Sequence, residues 1–181
     1  MKALRGYYDT YAKTWTNPVL TEFKIKGVTL DFTPSNDGVL LLTGNLDKIE
    51  ILNSSNDVIV TDYKTGKPKS RNEIMGKTRA ADASYYRQLV FYNLLLNKYR
   101  DGMYRMKAGE IDFVEPNDSG KYKKERFEIT NDEVVLLENQ IRQVADNILN
   151  LKFWDTKCDL PRLGKAGNKD CEWCGLREGM K

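Results

Sequence analysis

Asp62 and Lys64 stand two residues apart in Asp62-Tyr63-Lys64, at the end of an apolar stretch, Val58-Ile59-Val60, that has strand character. Residues i and i+2 of a strand point to the same face, so this carboxylate and this ammonium would share one. Asp47 lies in the preceding strand-like stretch, Gly44-Asn45-Leu46-Asp47-Lys48-Ile49-Glu50. Hairpin pairing would bring it beside Asp62. Two converging carboxylates repel unless a divalent cation sits between them, and oxygen ligands with water are what Mg²⁺ takes. A lysine beside such a cation could orient or help deprotonate a water, or neutralise charge building on a phosphate. The alternative is an ordinary strand end: Asp62 as a turn residue, with Asp47 and Lys64 as a surface ion pair.

The 181 residues contain no histidine, which excludes Ser-His-Asp triads, Cys-His nucleophiles, His-ligated zinc hydrolases and imidazole proton shuttles. The chemistry must come from carboxylates, amines, amides and hydroxyls. A net charge of +3 implies no polyanionic partner by itself, so the distribution of charge matters more than the sum. The longest apolar runs are four residues, far short of the roughly 20 needed to span a bilayer. No membrane partner is expected. Cysteines are confined to Cys158, Cys171 and Cys174, which makes a reducing cytoplasm the expected location.

The elements that must position these groups follow from periodicity. Leu4, Tyr7, Tyr8, Tyr11 and Trp15 recur near helical spacing over 2–15 and stop before Asn17-Pro18. Glu22 to Lys26 alternates as a strand. Val39 to Leu52 is a second strand, continuous or bulged at Gly44, and Ser54 to Asp57 is turn chemistry. The apolar 58–60 run reads as a buried central strand. A loop is expected over 65–78. A helix is then expected from Arg79, with Tyr85, Leu89, Tyr92, Leu96 and Tyr99 at spacings of four and three. One or two strands fit 103–114, and an edge strand fits 122–129. Thr130-Asn131-Asp132-Glu133 is a capping box opening a long helix, whose expected core stripe is Leu137, Ile141, Val144, Ile148 and Leu151. The sum is an α/β domain over 1–154, a mixed sheet with helices on both faces, followed by a cysteine-containing tail over 155–181.

Between Lys64 and Arg79 six cations (Lys64, Lys67, Lys69, Arg71, Lys77 and Arg79) face one acid, Glu73. Positive charge concentrated beside a candidate metal site suits a phosphodiester substrate; a solvated loop is the other account. Gly76-Lys77-Thr78 imitates the end of a P-loop, but the first glycine of that pattern would fall on Arg71.

The blocks TGNLDKIE, VIVTDYKTGK and YYRQLVFYNLLL, in this order, resemble the PD-(D/E)XK nucleases of the RecB/AddB type, nearest to domains fused to UvrD/Rep-like helicases. The resemblance spans roughly residues 1 to 176. It implies a restriction-endonuclease-like core of the order αβββαβ and hydrolysis of DNA, single-stranded and fed by a helicase domain or subunit, in repair or recombination. It implies Mg²⁺ or Mn²⁺ held by Asp47, Asp62 and the backbone carbonyl of Tyr63, with Lys64 as the catalytic lysine. Gln88 and Tyr92 match a Q-L-x-x-Y motif whose polar groups face the site. Their i, i+4 spacing independently makes them neighbours on one helix face.

Two features depart from that pattern. The resembled family brings a histidine to the metal from an early helix, and this chain has none; Glu22 is a possible replacement carboxylate. Cys171-Glu172-Trp173-Cys174 is a C-x-x-C knuckle suited to zinc or an iron–sulfur cluster, with Cys158 as a further ligand. The cluster-bearing pattern needs another cysteine where Met180 stands. A catalytically impaired module of the same fold, binding nucleic acid or a helicase partner, is therefore the second expectation.

Overall fold

The computed structural model describes residues 2–32, 38–79 and 81–152. The chain divides into two compact units, Met1–Asn139 and Gln140–Lys181. The first holds a five-stranded sheet in the order β1-β2-β3-β4-β5, formed by β1 (Val19–Asp31), β2 (Val39–Ile51), β3 (Asp57–Lys64), β4 (Arg105–Phe113) and β5 (Lys123–Phe127). All neighbours pair antiparallel except β3 and β4, which are parallel. That parallel step needs a crossover, and helix α3 (Ser84–Lys98) supplies it. Helix α1 (Lys2–Tyr11) with a 3₁₀ turn over Ala12–Thr14 precedes the sheet. The expected α/β architecture with a mixed sheet is the one observed, and 103–114 forms a single strand.

The register sorts the sheet into two unlike faces. Ile49, Val58, Val60 and Ile111 are fully buried on the side that packs against α3, where Leu89, Leu94, Leu95 and Leu96 are fully buried too. Each such leucine contributes about 2 kcal/mol, enough to outweigh the middling helix propensity of a segment rich in Tyr and Asn. Gly44 lets this helix approach: a Cβ there would stand 2.4 Å from Leu95 Cδ1. The opposite face is polar. Lys48, Thr61, Glu110 and Arg126 lie in register across four strands, and Tyr63, Asp112 and Lys124 form the next row. Tyr7 of α1 covers this row, its hydroxyl donating to Asp112.

Two boundaries differ from expectation. The 65–78 loop contains a short helix, α2 (Arg71–Ile74), opened by a capping box in which Ser70 accepts from the Glu73 N–H and Glu73 from that of Ser70. Helix α3 starts at Ser84 rather than Arg79, because Ala83 is left-handed at φ +56° and Asp82 caps the Ser84 N–H at 3.0 Å. Strand β2 runs continuously through Gly44, one of the two forms expected for it, and a bulge falls instead in β1, where the register shifts between Ile25 and Val28. The Thr130–Glu133 capping box does open α4 (Asn131–Leu149). Its expected stripe is not a core stripe throughout. Val134 and Leu137 are buried, whereas Val144 and Ile148 are exposed, and Leu151, also exposed, lies past the helix end at φ +53°.

Candidate active site

Asp62 and Lys64 close strand β3 on the face turned to α3, and α3 carries Gln88 and Tyr92 toward them. Four side chains join in a ring. The Lys64 ammonium donates to Gln88 Oε1 at 2.7 Å, and Gln88 Nε2 donates to the Tyr92 hydroxyl at 2.6 Å. That hydroxyl donates to Asp62 Oδ1 at 2.9 Å, and Asp62 Oδ2 faces the ammonium at 2.6 Å. An ammonium accepts nothing, so the Gln88 amide must present its oxygen to Lys64 and its NH₂ to Tyr92. Burial first, and then the Asp62 charge, push the Tyr92 hydroxyl well above its ordinary pKa, which keeps it a donor.

Asp47 enters from β2. Its Oδ2 accepts the backbone N–H of Tyr63 at 2.9 Å, just beyond the last ladder pair, Lys48 with Thr61. Burial, reinforced by the charges of Asp62 and Glu22, raises its pKa against the lowering effects of that hydrogen bond and of Lys64. Glu22, between the ladder pairs Thr21–Lys48 and Phe23–Leu46, adopts φ +50°, and Asn45 Nδ2 donates to it at 2.6 Å.

The donor set suits a hard divalent cation. Asp62 is 2% exposed, and the Lys64 ammonium, 2.6 Å away, is the partner its Oδ2 meets among the described residues. A carboxylate oxygen has two lone pairs, so Oδ2 can meet the ammonium and still offer one to a hard cation. Among the described residues no group of three acidic, histidine or cysteine side chains converges, so water would complete the shell.

The five cations expected to bind a nucleic acid are not equivalent. Lys67 pairs with Asp118 at 3.0 Å. Arg71 donates to the Arg126 carbonyl at 2.8 Å and lies 4.2 Å over the Phe127 ring. Lys69 sits 4.3 Å over the ring of Tyr85, which also lies 4.6 Å from the Lys64 ammonium. Lys77 and Arg79 are exposed. Only Lys69 is thereby tied to the surroundings of Lys64 through a shared contact. Cys158, Cys171 and Cys174 lie outside the described residues.

Two groups escaped the sequence reading. Tyr85 was visible only as part of an apolar stripe, although an aromatic one turn before Gln88 is placed to meet a lysine two strand residues past Asp62. On the other face of β3, Asp112 is fully buried and accepts from Tyr7 and from Lys124, the latter at 2.5 Å. Burial raises its pKa, and those two hydrogen bonds oppose the rise. The Tyr63 ring packs edge-on against Tyr7, 6.4 Å between centroids. The residue between Asp62 and Lys64 is thus held by its backbone on one side and its ring on the other.

A family profile described as the PD-(D/E)XK nuclease superfamily matches residues 1–178. No curated protein matches the sequence significantly. Among solved structures, the protein SSO0001 is similar at 13% identity and a TM-score of 0.47, over 82% of this chain and 58% of the other. A proposed exonuclease from Eubacterium rectale is similar at 11% identity and a TM-score of 0.47, over 95% of this chain and 61% of the other. The chain spans about three fifths of the length of either.

Proposed function

We propose, from the premise that the chain belongs to the PD-(D/E)XK nuclease superfamily, that it hydrolyses phosphodiester bonds of DNA with Mg²⁺ or Mn²⁺ held by Asp47 and Asp62. The observation that carries this reading is the ring of Asp62, Lys64, Gln88 and Tyr92 with Asp47 beside it. The bound cation would supply Lewis-acid stabilisation of charge on the phosphate and on the leaving oxygen. Tyr92 fixes Asp62 by its hydroxyl and so aims Oδ2. Gln88 holds the Lys64 ammonium close to that oxygen, where it can orient a water or neutralise charge developing on a non-bridging phosphate oxygen. Hydrolysis adds water across one P–O bond: the water oxygen joins phosphorus, the ester oxygen leaves, and its charge is met by a proton. Single-stranded DNA supplied by a helicase domain or subunit is the finer form of this reading, supported by the likeness of the three sequence blocks to RecB-type domains. Cleavage of a labelled single-stranded oligonucleotide with Mn²⁺ tests it. Asp62→Asn and Lys64→Ala should each abolish cleavage, and equal activity in parent and variants would overturn the assignment.

A second reading is a non-catalytic module of this fold that binds nucleic acid or a helicase partner. It is favoured by the two-carboxylate shell, which has no third acidic side chain converging on it among the described residues. Calorimetric titration with Mn²⁺ separates the two: heat that depends on Asp47 and Asp62 supports the nuclease, and its absence supports the module.

A further inference from the structure

A pocket of about 300 Å³ opens where the bulge of β1 meets the end of α3, lined by Lys24, Lys26, Gly27, Lys98, Tyr99 and Arg100. Four cations converge there from two chain segments, and no acid lines the cavity. Of these, Lys98 alone meets a counter-charge among the described residues, Glu138 at 3.1 Å. Lys24, Lys26 and Arg100 form no ion pair with a described residue, and all three are exposed. Gathering like charges in a concavity costs free energy, because low-dielectric walls reduce screening. The backbone is shaped to gather them. The ladder slips between Ile25 and Val28, with Gly27 at φ +76° and no atom within 4 Å of where its Cβ would stand. Arg100 adopts φ +46°, a conformation costing a non-glycine residue about 1 kcal/mol or more. Its guanidinium lies 5.2 Å over the Tyr99 ring.

We propose that this pocket binds a phosphate of a nucleic-acid strand, as a subsite separate from Asp62 and Lys64. The inference rests on the nucleic-acid substrate proposed above and adds a second point of attachment. Three cations without an ion pair to a described residue match the backbone of a polyanion, and the volume admits one phosphate with part of its sugar. Lys98 follows Gln88 by ten helical residues, about 15 Å along α3. A stacked strand advances about 3.4 Å per nucleotide, so roughly four or five nucleotides separate the two points. The pocket therefore grips strands and ignores fragments.

Binding is measured without divalent cation, in EDTA, so that cleavage plays no part. The probe is a fluorescein-labelled 20-nucleotide single strand, followed by anisotropy across a salt series. The triple variant Lys24→Gln/Lys26→Gln/Arg100→Gln should bind about tenfold more weakly at low salt. Its slope of log K against log salt should fall by about 2, from three lost contacts at about 0.7 each. A charge-matched triple variant at Arg5, Lys13 and Lys121, exposed cations outside both the pocket and the 64–79 loop, should change less, and melting curves confirm that both are folded. Unchanged affinity and slope in the pocket variant overturn the proposal. So does tight calorimetric binding of inorganic phosphate alone, which would mark a free-anion site, or equal, pocket-dependent binding of polyglutamate. In Mn²⁺, the pocket variant should raise KM for the 20-mer with kcat unchanged and leave a dinucleotide substrate unaffected. If nothing is cleaved but the EDTA binding behaves as stated, the subsite stands and the nuclease reading falls. The reverse pattern removes the subsite alone.

Discussion

The Asp47 carboxylate accepts the Tyr63 backbone N–H at 2.9 Å, so a side chain of β2 takes the place of the next ladder rung to β3. The ladder itself stops at Lys48 and Thr61. This bond fixes the backbone between Asp62 and Lys64 while leaving Asp47 Oδ1 without a hydrogen bond to a described residue. Burial first, and then the charge of Asp62, raise the pKa of Asp47, a repulsion that a cation held by both would relieve.

Replacing Asp47 by Asn should separate binding from stability. The amide oxygen can still accept the Tyr63 N–H, but the charge is gone. A carboxyl whose folded pKa is raised favours folding below its unfolded value, near 3.8, and loses that advantage as pH rises through the folded value. Asp47→Asn should therefore melt at or above the parent at pH 7 in EDTA, with the gap closing toward pH 4. Mn²⁺ should stabilise the parent and not the variant. A variant that melts well below the parent at pH 7 would contradict this account of the site.

Tyr92→Phe removes one oxygen and breaks two bonds of the ring, leaving Gln88 Nε2 and Asp62 Oδ1 unpaired in a buried setting. The expected cost is about 1–3 kcal/mol in urea unfolding. Cleavage should fall about tenfold or more in kcat, since the Gln88 amide that positions Lys64 loses its own anchor. A loss of stability with kcat intact would show that the ring is only structural.

That Asp62 and Lys64 share a face was legible because strand periodicity sets faces locally; Gln88 and Tyr92 were marked by the resemblance, and helical spacing accounts only for their lying on one helix face. The start of α3 was not: Arg79 to Ala83 has ordinary helix formers, and only the left-handed Ala83 and the Asp82 cap show where the helix begins. The Ser70–Glu73 box could have been found, as it repeats the S/T-x-x-E pattern recognised at Thr130. The fate of the basic loop could not. Lys67 meets Asp118 and Arg71 meets Phe127 across more than 50 residues of sequence, contacts that no local pattern encodes. The polar sheet face was hidden similarly: Glu110 and Asp112 look like solvated alternation until β5 and α1 cover them.

Gly44→Ala should be costly in a way the motif around Asp47 does not suggest. The new methyl would stand 2.4 Å from Leu95 Cδ1, a fully buried atom group on the helix that carries Gln88 and Tyr92. Overpacking of this kind costs about 1–3 kcal/mol. Combining it with Leu95→Val makes room, so the double variant should be more stable than the summed single effects require. Additive losses in urea unfolding would mean that this contact does not set the distance between α3 and β2.

Lys124→Met tests the far face of β3. Asp112 is fully buried, Tyr7 and Lys124 both donate to its Oδ2, and its Oδ1 has no hydrogen bond. Removing the ammonium leaves a buried carboxylate with one neutral donor, a loss of about 3 kcal/mol at pH 7. Burial already raises the pKa of Asp112, and Lys124 opposes that rise, so the variant pushes it higher still. The stability linked to this carboxyl is present below about 3.8 and lost as pH climbs through the folded value. The deficit of Lys124→Met should therefore shrink toward pH 4, where Asp112 takes up its proton. Adding Asp112→Asn should recover most of the loss at pH 7, because the amide carries no charge to desolvate and still accepts from Tyr7. Urea unfolding of the two single variants and the double at both pH values reads the outcome. An equal deficit at pH 4 and pH 7, or no rescue by the asparagine, would place the cost in lost packing against Tyr7 and Tyr11 rather than in the buried charge.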